Sequence, residues 1–210
     1  MIPDVIVVGG GIVGLAAARE LAARGARAVV VERGRVGEEA SSAAAGMLAP
    51  QVHATARTPL LDLSLRARDR HLLLAEELLA ETGLSVELSV LGSIDIALTE
   101  ADEAALDARV SWQQGQGLPV EWLSADEVLQ AEPNVSPAAR RGALFPGERR
   151  LDNVRLVRAL AASAVARGAS LLCGRPVTGL LVESGRVAGV RAGTDTLRAP
   201  IVIKIGRAHV

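Results

Sequence analysis

The sequence contains no tyrosine, and its aromatic residues are limited to two tryptophans and one phenylalanine. Cys173 is the only cysteine, so the chain cannot form an internal disulfide, which fits a reducing cytoplasm. The net charge of −1 and the lack of a basic stripe argue against a nucleic-acid partner. No apolar run has membrane-spanning length, and the first strand begins too close to Met1 to leave room for a signal peptide. These absences predict a cytoplasmic protein that binds neither nucleic acid nor membrane.

Residue types that bind metals or form catalytic sets are few and scattered. The three histidines show no spacing with cysteine that would support zinc, and no Ser/His/Asp arrangement stands out. His71 is expected to be structural. Cys173 follows two leucines, which predicts a small buried hydrophobic residue rather than a nucleophile. The sequence therefore predicts no metal site and no catalytic acid, base or nucleophile.

The stretch that organises the chain is residues 4–32. It opens with the β-branched run 5–8, which is typical of a strand buried on both faces of a parallel sheet. Gly9, Gly11 and Gly14 follow with G-x-G-x-x-G spacing. Gly9 permits the tight turn, Gly11 lets a pyrophosphate approach the backbone, and Gly14 lets the next helix pack close to the strand. This pattern predicts a phosphate-binding turn.

A helix over 12–24 should direct its N-terminal N–H groups and its dipole toward the phosphates. A second parallel strand over 29–31 ends at Glu32, 18 residues after Gly14. A carboxylate there accepts hydrogen bonds from both ribose hydroxyls and repels a 2′-phosphate, which disfavours NADP. The unit predicts an adenine-dinucleotide site, and by itself it does not separate FAD from NAD.

A run of very small side chains follows at 41–50, where Ser41 or Ser42 is expected to cap a short helix. Small residues at that point suit either a large ligand lying against the backbone or a tight helix–helix contact, and the residues alone favour neither. Helices are predicted over 58–82 and 153–167, and Thr99 and Ser124 each open a capping box. A β-meander over 170–203 suggests a flavoprotein rather than a simple NAD dehydrogenase.

Four stretches resemble the D-amino-acid oxidase family of FAD-dependent oxidoreductases, in particular its glycine-oxidising branch, which serves bacterial thiamine biosynthesis. They are the glycine turn with Glu32, the run 42–50 and the segments 150–160 and 176–180. The run 42–50 is the most specific of them. The resemblance implies an α/β fold: a Rossmann-like FAD/NAD(P)-binding domain with a β-meander and the start of an interleaved substrate domain, truncated.

The resemblance also implies a cofactor, FAD, and roles for individual residues. Ile12 and Val13 would lie over the pyrophosphate, and Glu32 with Arg33 would hold the adenosine ribose. Val177 would present its backbone to the adenine. The remaining implied contacts are to the phosphate and ribityl region (Ala40, Ser41, Ser42) and to the isoalloxazine ring (Ala45, Gly46, Met47). Met47 would also face the substrate.

By the same resemblance, residues 1–50 form the FAD-binding βαβ unit and flavin-contacting helix, and 51–150 belong partly to the substrate domain. Residues 151–203 return to the FAD domain. Residues 204–210, which include the only lysine, look like the translation of a sequencing adapter. The expected protein is therefore an N-terminal fragment. The family's substrate arginine, active-site tyrosine and last flavin-binding segment would lie in the missing half.

The implied reaction is oxidation of a small amine or amino acid, glycine foremost, by hydride transfer to flavin N5. Dioxygen is then reduced to hydrogen peroxide, and the imine hydrolyses to glyoxylate and ammonia. The fragment itself is expected to be inactive, and a homo-oligomer is compatible with the full-length protein. Two alternatives stay open. One is another member of the family, such as a sarcosine oxidase or a D-amino-acid dehydrogenase, and the other is a non-catalytic dinucleotide-binding module.

Overall fold

The computed structural model describes residues 2–206. These residues form two compact units. The first unit takes residues 2–45, 75–87 and 152–206, and the second takes 46–74 and 88–151. The assignment of chain segments to a FAD-binding part and a substrate part stays a prediction. Of the predicted adapter-derived scar, residues 204–206 are described and 207–210 lie outside the described residues.

Helices and strands alternate over residues 5–145, and the last five elements, over residues 170–204, are all strands. In order they are β1 Val5–Val8, α1 Ile12–Ala23, β2 Ala28–Val31, α2 Ala40–Ala43, β3 Met47–Leu48, α3 Pro59–Thr82, β4 Ser93–Ala97, α4 Glu100–Gly115, β5 Glu121–Ser124, α5 Ala125–Ala131, β6 Arg141–Phe145, β7 Arg149–Arg150, α6 Asn153–Ala166, β8 Ser170–Leu172, β9 Val177–Glu183, β10 Arg186–Ala192, β11 Asp195–Arg198 and β12 Ile201–Lys204.

A four-stranded parallel sheet in the order β12-β1-β2-β8 forms the centre of the first unit. Its β-branched strands bury both faces, as predicted. On one face Val5, Val7 and Val30 pack with alanines of α1 and α6. On the other face Ile6 and Val31 pack against the β-meander. The sheet between helices and meander confirms the expected α/β fold, and it places the carboxyl ends of β1, β2, β8 and β12 along one edge.

The β-meander of β9, β10 and β11 is antiparallel, as predicted. Its first hairpin turns at Ser184 and Gly185, whose φ angles of 49° and 75° are typical of a two-residue hairpin turn. Gly189 is required by close approach, because a Cβ there would lie 2.0 Å from the carbonyl oxygen of Leu197. The ladder shifts register beside it, between Val187 and Gly189. This bulge bends the meander.

The second unit contains a three-stranded antiparallel sheet in the order β4-β6-β5 and a two-stranded pair, β3 with β7. Both predicted capping boxes are present, at Thr99 before α4 and at Ser124 before α5. Strands β3, β5 and β7 were not predicted. Each is only two to four residues long and is defined by pairing with a distant segment, which no local pattern reveals. None of the described helices is long and apolar enough to cross a membrane.

Two local predictions are wrong. Cys173 is exposed, because β8 ends at Leu172 and the chain turns at Gly174, which has a φ of 67°. Ser41 and Ser42 do not cap α2, because the helix starts earlier, with Glu39 at the N-cap and no side-chain cap bond. Both serines lie inside the helix. Their hydroxyls are used for contacts with other segments.

A buried arginine of the first unit joins α1, α6 and the last two turns of α3. Arg19 of α1 is 2% exposed, and its guanidinium donates to Ser163 of α6 at 2.7 Å and to Glu77 and Glu81 of α3 at 2.9 and 2.8 Å. Glu81 also accepts from Arg167 and Ser163. Hydrogen bonds from Arg167, Ser163 and Arg19 lower the pKa of Glu81 from 4.5 to about 2.

We expect acid to destabilise the first unit through Glu81. Because the folded-state pKa lies below the unfolded one, the stabilisation is complete above pH 4.5 and is lost as the pH falls toward 2. The Glu81 contribution at neutral pH is about 3 kcal/mol. Urea unfolding followed by far-UV circular dichroism at several pH values should show a shallower acid limb for Glu81→Gln. Glu76→Gln, an exposed change on the same helix, should keep the wild-type slope, and an unchanged acid limb in Glu81→Gln would contradict the assignment.

Candidate dinucleotide-binding site

The glycine turn lies at the carboxyl end of β1. Gly9 has a φ of 114°, which a residue with a side chain rarely adopts. Gly11 is the N-cap of α1 and provides no side-chain cap. A Cβ on Gly14 would lie 2.0 Å from the carbonyl oxygen of Gly9, so only glycine lets α1 pack this close to the strand. The conformational roles predicted for Gly9 and Gly14 are confirmed by this geometry.

The first amide of α1 meets a side chain from another helix. Ser41 Oγ of α2 accepts a hydrogen bond from the Ile12 N–H at 3.1 Å. A Cβ on Gly11 would come within 2.9 Å of the same hydroxyl, so a side chain at this position would displace Ser41. Ser42 Oγ donates to the carbonyl of Gly37, and the Gly37 N–H donates to the Gly10 carbonyl at 2.9 Å. The small residues of α2 therefore pack against the glycine turn.

Glu32 follows β2 and connects the neighbouring turns. Its carboxylate accepts from the Gly10 N–H at 2.7 Å and from the Gly34 N–H at 2.9 Å. Each carboxylate oxygen can accept a further hydrogen bond, so donors such as ribose hydroxyls remain acceptable partners. Arg33 beside it forms an exposed ion pair with Glu39. The carboxylate is thus fixed at the edge of the sheet next to the glycine turn.

A cleft of about 540 Å³ opens along this edge of the first unit. This volume lies within the range of roughly 300–1,000 Å³ usual for small-molecule sites. Seven of the predicted cofactor-binding residues line it: Gly9, Gly11, Glu32, Arg33, Ala40, Ser41 and Val177. Ile12, Val13, Gly14 and Ser42 belong to the same unit but do not line the cleft. The Ile12 N–H donates to Ser41, which lines the cleft, and Gly14 lets α1 pack closely against the glycine turn.

The other three predicted residues lie where the chain passes from one unit to the other. Ala45 is exposed and ends a segment of the first unit, and Gly46 opens the second. Gly46 has a φ of 74°, and its carbonyl accepts from the Leu151 N–H at 3.0 Å. Met47 is 52% exposed and pairs with Arg150. Their predicted approach to the flavin ring, and that of Met47 to the substrate, stays a prediction.

Several lining residues were missed by sequence reasoning. They are Val8, Val31, Arg35, Gly37, Glu38, Glu39, Pro176, Lys204, Ile205 and Gly206. Val8 and Val31 are the last residues of two predicted strands that end at this edge of the sheet, so their place in the cleft could have been predicted from the sequence. The sequence predicts that Lys204 to Gly206 belong to an adapter-derived scar. In the structure, Lys204 pairs with Val8 and the Ile205 N–H donates to the Val8 carbonyl at 3.2 Å. The origin of residues 204–210 stays a prediction.

The residues present fit an adenine dinucleotide. Gly11 with no side chain, the Ser41 hydroxyl beside the first turn of α1, and a carboxylate at the end of β2 provide a phosphate donor and a ribose acceptor in one cleft. These features define a dinucleotide-binding domain that holds and orients a cofactor.

Comparison with known proteins identifies the family. The family model described as DAO, FAD dependent oxidoreductase, matches residues 4–204, and the chain belongs to this family. The glycine oxidase of Geobacillus kaustophilus is 37% identical over 201 residues, which are 95% of this chain and 53% of that protein. Its crystal structure superposes with a TM-score of 0.92, covering 97% of this chain and 55% of that chain. A bifunctional ThiO/ThiG protein of Nostoc sp. is 33% identical over 95% of this chain and 30% of that protein.

The chain spans about half the length of the glycine oxidases that it matches. The predicted family and the predicted FAD-binding fold are confirmed over that half. FAD is the cofactor of the family, and this chain contains its FAD-binding domain.

Proposed function

We propose that this chain is the FAD-binding part of an enzyme that oxidises a small amine or amino acid, with glycine as the foremost substrate. The observation that carries the proposal is 37% identity to a glycine oxidase over 95% of the chain, combined with the glycine turn and Glu32 in one cleft. The overall reaction is glycine, dioxygen and water to glyoxylate, ammonia and hydrogen peroxide. Similarity to a ThiO/ThiG protein supports the placement in thiamine biosynthesis.

In this proposal the chain's own residues bind and orient. The amides at the start of α1 and the Ser41 hydroxyl hold the pyrophosphate, and Glu32 holds the adenosine ribose. Val177 lines the cleft, and its backbone can meet the adenine. Met47 and the small residues before it approach the ring and the substrate. Bound FAD supplies the hydride acceptor, and the substrate needs no protein acid or base if it binds as the free amine.

The substrate is tested on the full-length protein that the source gene encodes. Purified with FAD, it should release peroxide and glyoxylate with glycine and should discriminate against larger D-amino acids. Peroxide formation with sarcosine but not with glycine would move the assignment to another amine oxidase of the family. Reduction of an artificial acceptor without oxygen consumption would identify a dehydrogenase. No bound flavin and no turnover would remove the proposal altogether.

Glu32→Gln should lower the affinity of the chain for ADP by about tenfold, because a neutral amide is a weaker acceptor for the ribose hydroxyls. The same change should narrow the preference for ADP over its 2′-phosphorylated analogue, since the repelling charge is gone. Isothermal titration calorimetry measures both. Glu38→Gln is the matched control, because Glu38 lines the same cleft but accepts from the Arg35 N–H instead. Equal losses in the two variants would contradict the role of Glu32.

A further inference from the structure

Asn153 is a buried amide at the first position of α6, only 9% exposed. The start of α6 does not require this amide. Asp152 is the N-cap, and its carboxylate accepts from the Arg155 N–H at 2.8 Å. The sequence predicts a helix that begins at Asn153 but indicates no role for its side chain. Since a buried amide without a hydrogen bond is costly, its partner indicates what it does.

That partner is α2. Asn153 Nδ2 donates to the carbonyl oxygen of Ser41 at 2.5 Å. Helix α2 has four residues and no side-chain cap. A helix this short is not stable by itself, so its position depends on contacts from outside. Asn153 provides one of these contacts, and the bond from Ser42 to Gly37 provides another.

The contact with Asn153 leads directly to the glycine turn. The residue whose carbonyl is held, Ser41, is also the residue whose hydroxyl accepts from the Ile12 N–H at 3.1 Å. Two hydrogen bonds therefore connect the Asn153 amide with the first amide of α1. All three residues belong to the first unit.

We propose that Asn153 is a positioning residue of the dinucleotide site. By holding the Ser41 carbonyl it fixes the Ser41 hydroxyl, which accepts from the Ile12 N–H and keeps its own proton to donate to a pyrophosphate at the start of α1. This inference rests on the proposed function, because it assigns that helix terminus to the pyrophosphate. It adds a residue from α6, outside the βαβ unit, to the parts that determine phosphate affinity.

The test separates phosphate binding from nucleoside binding. ADP and adenosine share the base and ribose, and only ADP carries the pyrophosphate. Asn153→Leu keeps the number and branching of the side-chain heavy atoms and removes the donor. We expect this variant to bind ADP about tenfold more weakly and to bind adenosine within about twofold of the wild-type chain. Isothermal titration calorimetry of the 210-residue chain measures both affinities.

Ser163→Ala is the matched control for a general loss of stability. Ser163 is fully buried in the same helix and bonds to Arg19 and Glu81, away from Ser41. It should lower the melting temperature without changing the ratio of ADP to adenosine affinity. Should Asn153→Leu fail to fold, Asn153→Asp provides a second variant, because it keeps the size and suits a helix start but cannot donate. The expected loss of ADP affinity is at least as large.

A double-mutant cycle tests whether Asn153 acts through Ser41. Ser41→Ala removes the hydroxyl, so Asn153→Leu should cost less ADP affinity in that background than in the wild type. Additive losses, equal losses for ADP and adenosine, or wild-type ADP affinity in the Asn153 variants would each overturn the inference. Failure of the wild-type chain to bind ADP, together with a full-length protein that holds no FAD, would instead overturn the proposed function.

Discussion

Gly14→Ala is expected to abolish measurable dinucleotide binding and to destabilise the first unit by about 3 kcal/mol. The added Cβ would lie 2.0 Å from the Gly9 carbonyl oxygen and 3.4 Å from a methyl of Val7. The carbonyl belongs to the backbone of the glycine turn and cannot swing away as a flexible side chain would. Either α1 or the turn must shift, and both carry the groups that we propose to meet the pyrophosphate.

Gly25→Ala is the control for this prediction. Gly25 follows the end of α1 with a φ of 83° and has no atom within 4 Å of an added Cβ. Alanine there pays for the left-handed conformation alone, roughly 1 kcal/mol, and should leave ADP affinity unchanged. Urea unfolding and calorimetric titration on both variants separate the two effects. A Gly14→Ala chain with wild-type ADP affinity would show that close packing of α1 is not what shapes the site.

Glu148→Ala is expected to destabilise the second unit by about 3–4 kcal/mol. The Glu148 side chain is fully buried, and its Oε1 accepts from the Gln51 N–H at 2.5 Å and from the Val52 N–H at 3.1 Å. The Arg68 guanidinium lies 3.7 Å from its other oxygen. Alanine would leave the N–H groups of buried Gln51 and half-buried Val52 without this acceptor and Arg68 without this carboxylate. Glu148→Gln keeps an acceptor and should cost clearly less.

Tryptophan fluorescence is the appropriate measurement, because Trp112 and Trp122 are the only tryptophans and both belong to the second unit. Burial raises the pKa of Glu148 above 4.5. The folded protein therefore binds the Glu148 proton more tightly than the unfolded chain does. The contribution of Glu148 to the free energy of unfolding falls as the pH rises above 4.5. Glu148→Gln should remove that fall. Glu121→Gln, an exposed change in the same unit, should retain it.

Glu148 also shows why part of the molecule was not readable from the sequence. The βαβ unit was predicted correctly because Gly9, Gly14 and Glu32 act within one short stretch, where spacing implies geometry. Glu148 lies in a charged stretch and looks like a surface residue. Only long-range folding brings it against Gln51, whose carbonyl accepts from buried Gln113 at 2.9 Å.

The prediction that Cys173 is buried was wrong for a related reason. Cys173 follows two leucines that are only partly buried, and the strand ends one residue before it. Local hydrophobicity predicted burial, but the end of a strand depends on how far its neighbour continues. Asn153 is the opposite case. Its helix was predicted from local pattern, while its contact with Ser41 depends on two segments that are distant in the sequence.

The pairing of β1 with β12 has a consequence for how the protein folds. Val5 pairs with Ile201, and Gly9 lines the same cleft as Ile205, so the two sides of the cleft come from opposite ends of the described chain. Parallel pairing over such a separation is slow, because a long loop must close before the contacts form. During synthesis the βαβ unit would be complete early, and one edge of β1 would stay unpaired until β12 has been synthesised. Cofactor binding should therefore be among the last events of folding. The unpaired edge of β1 is the point at which aggregation would begin.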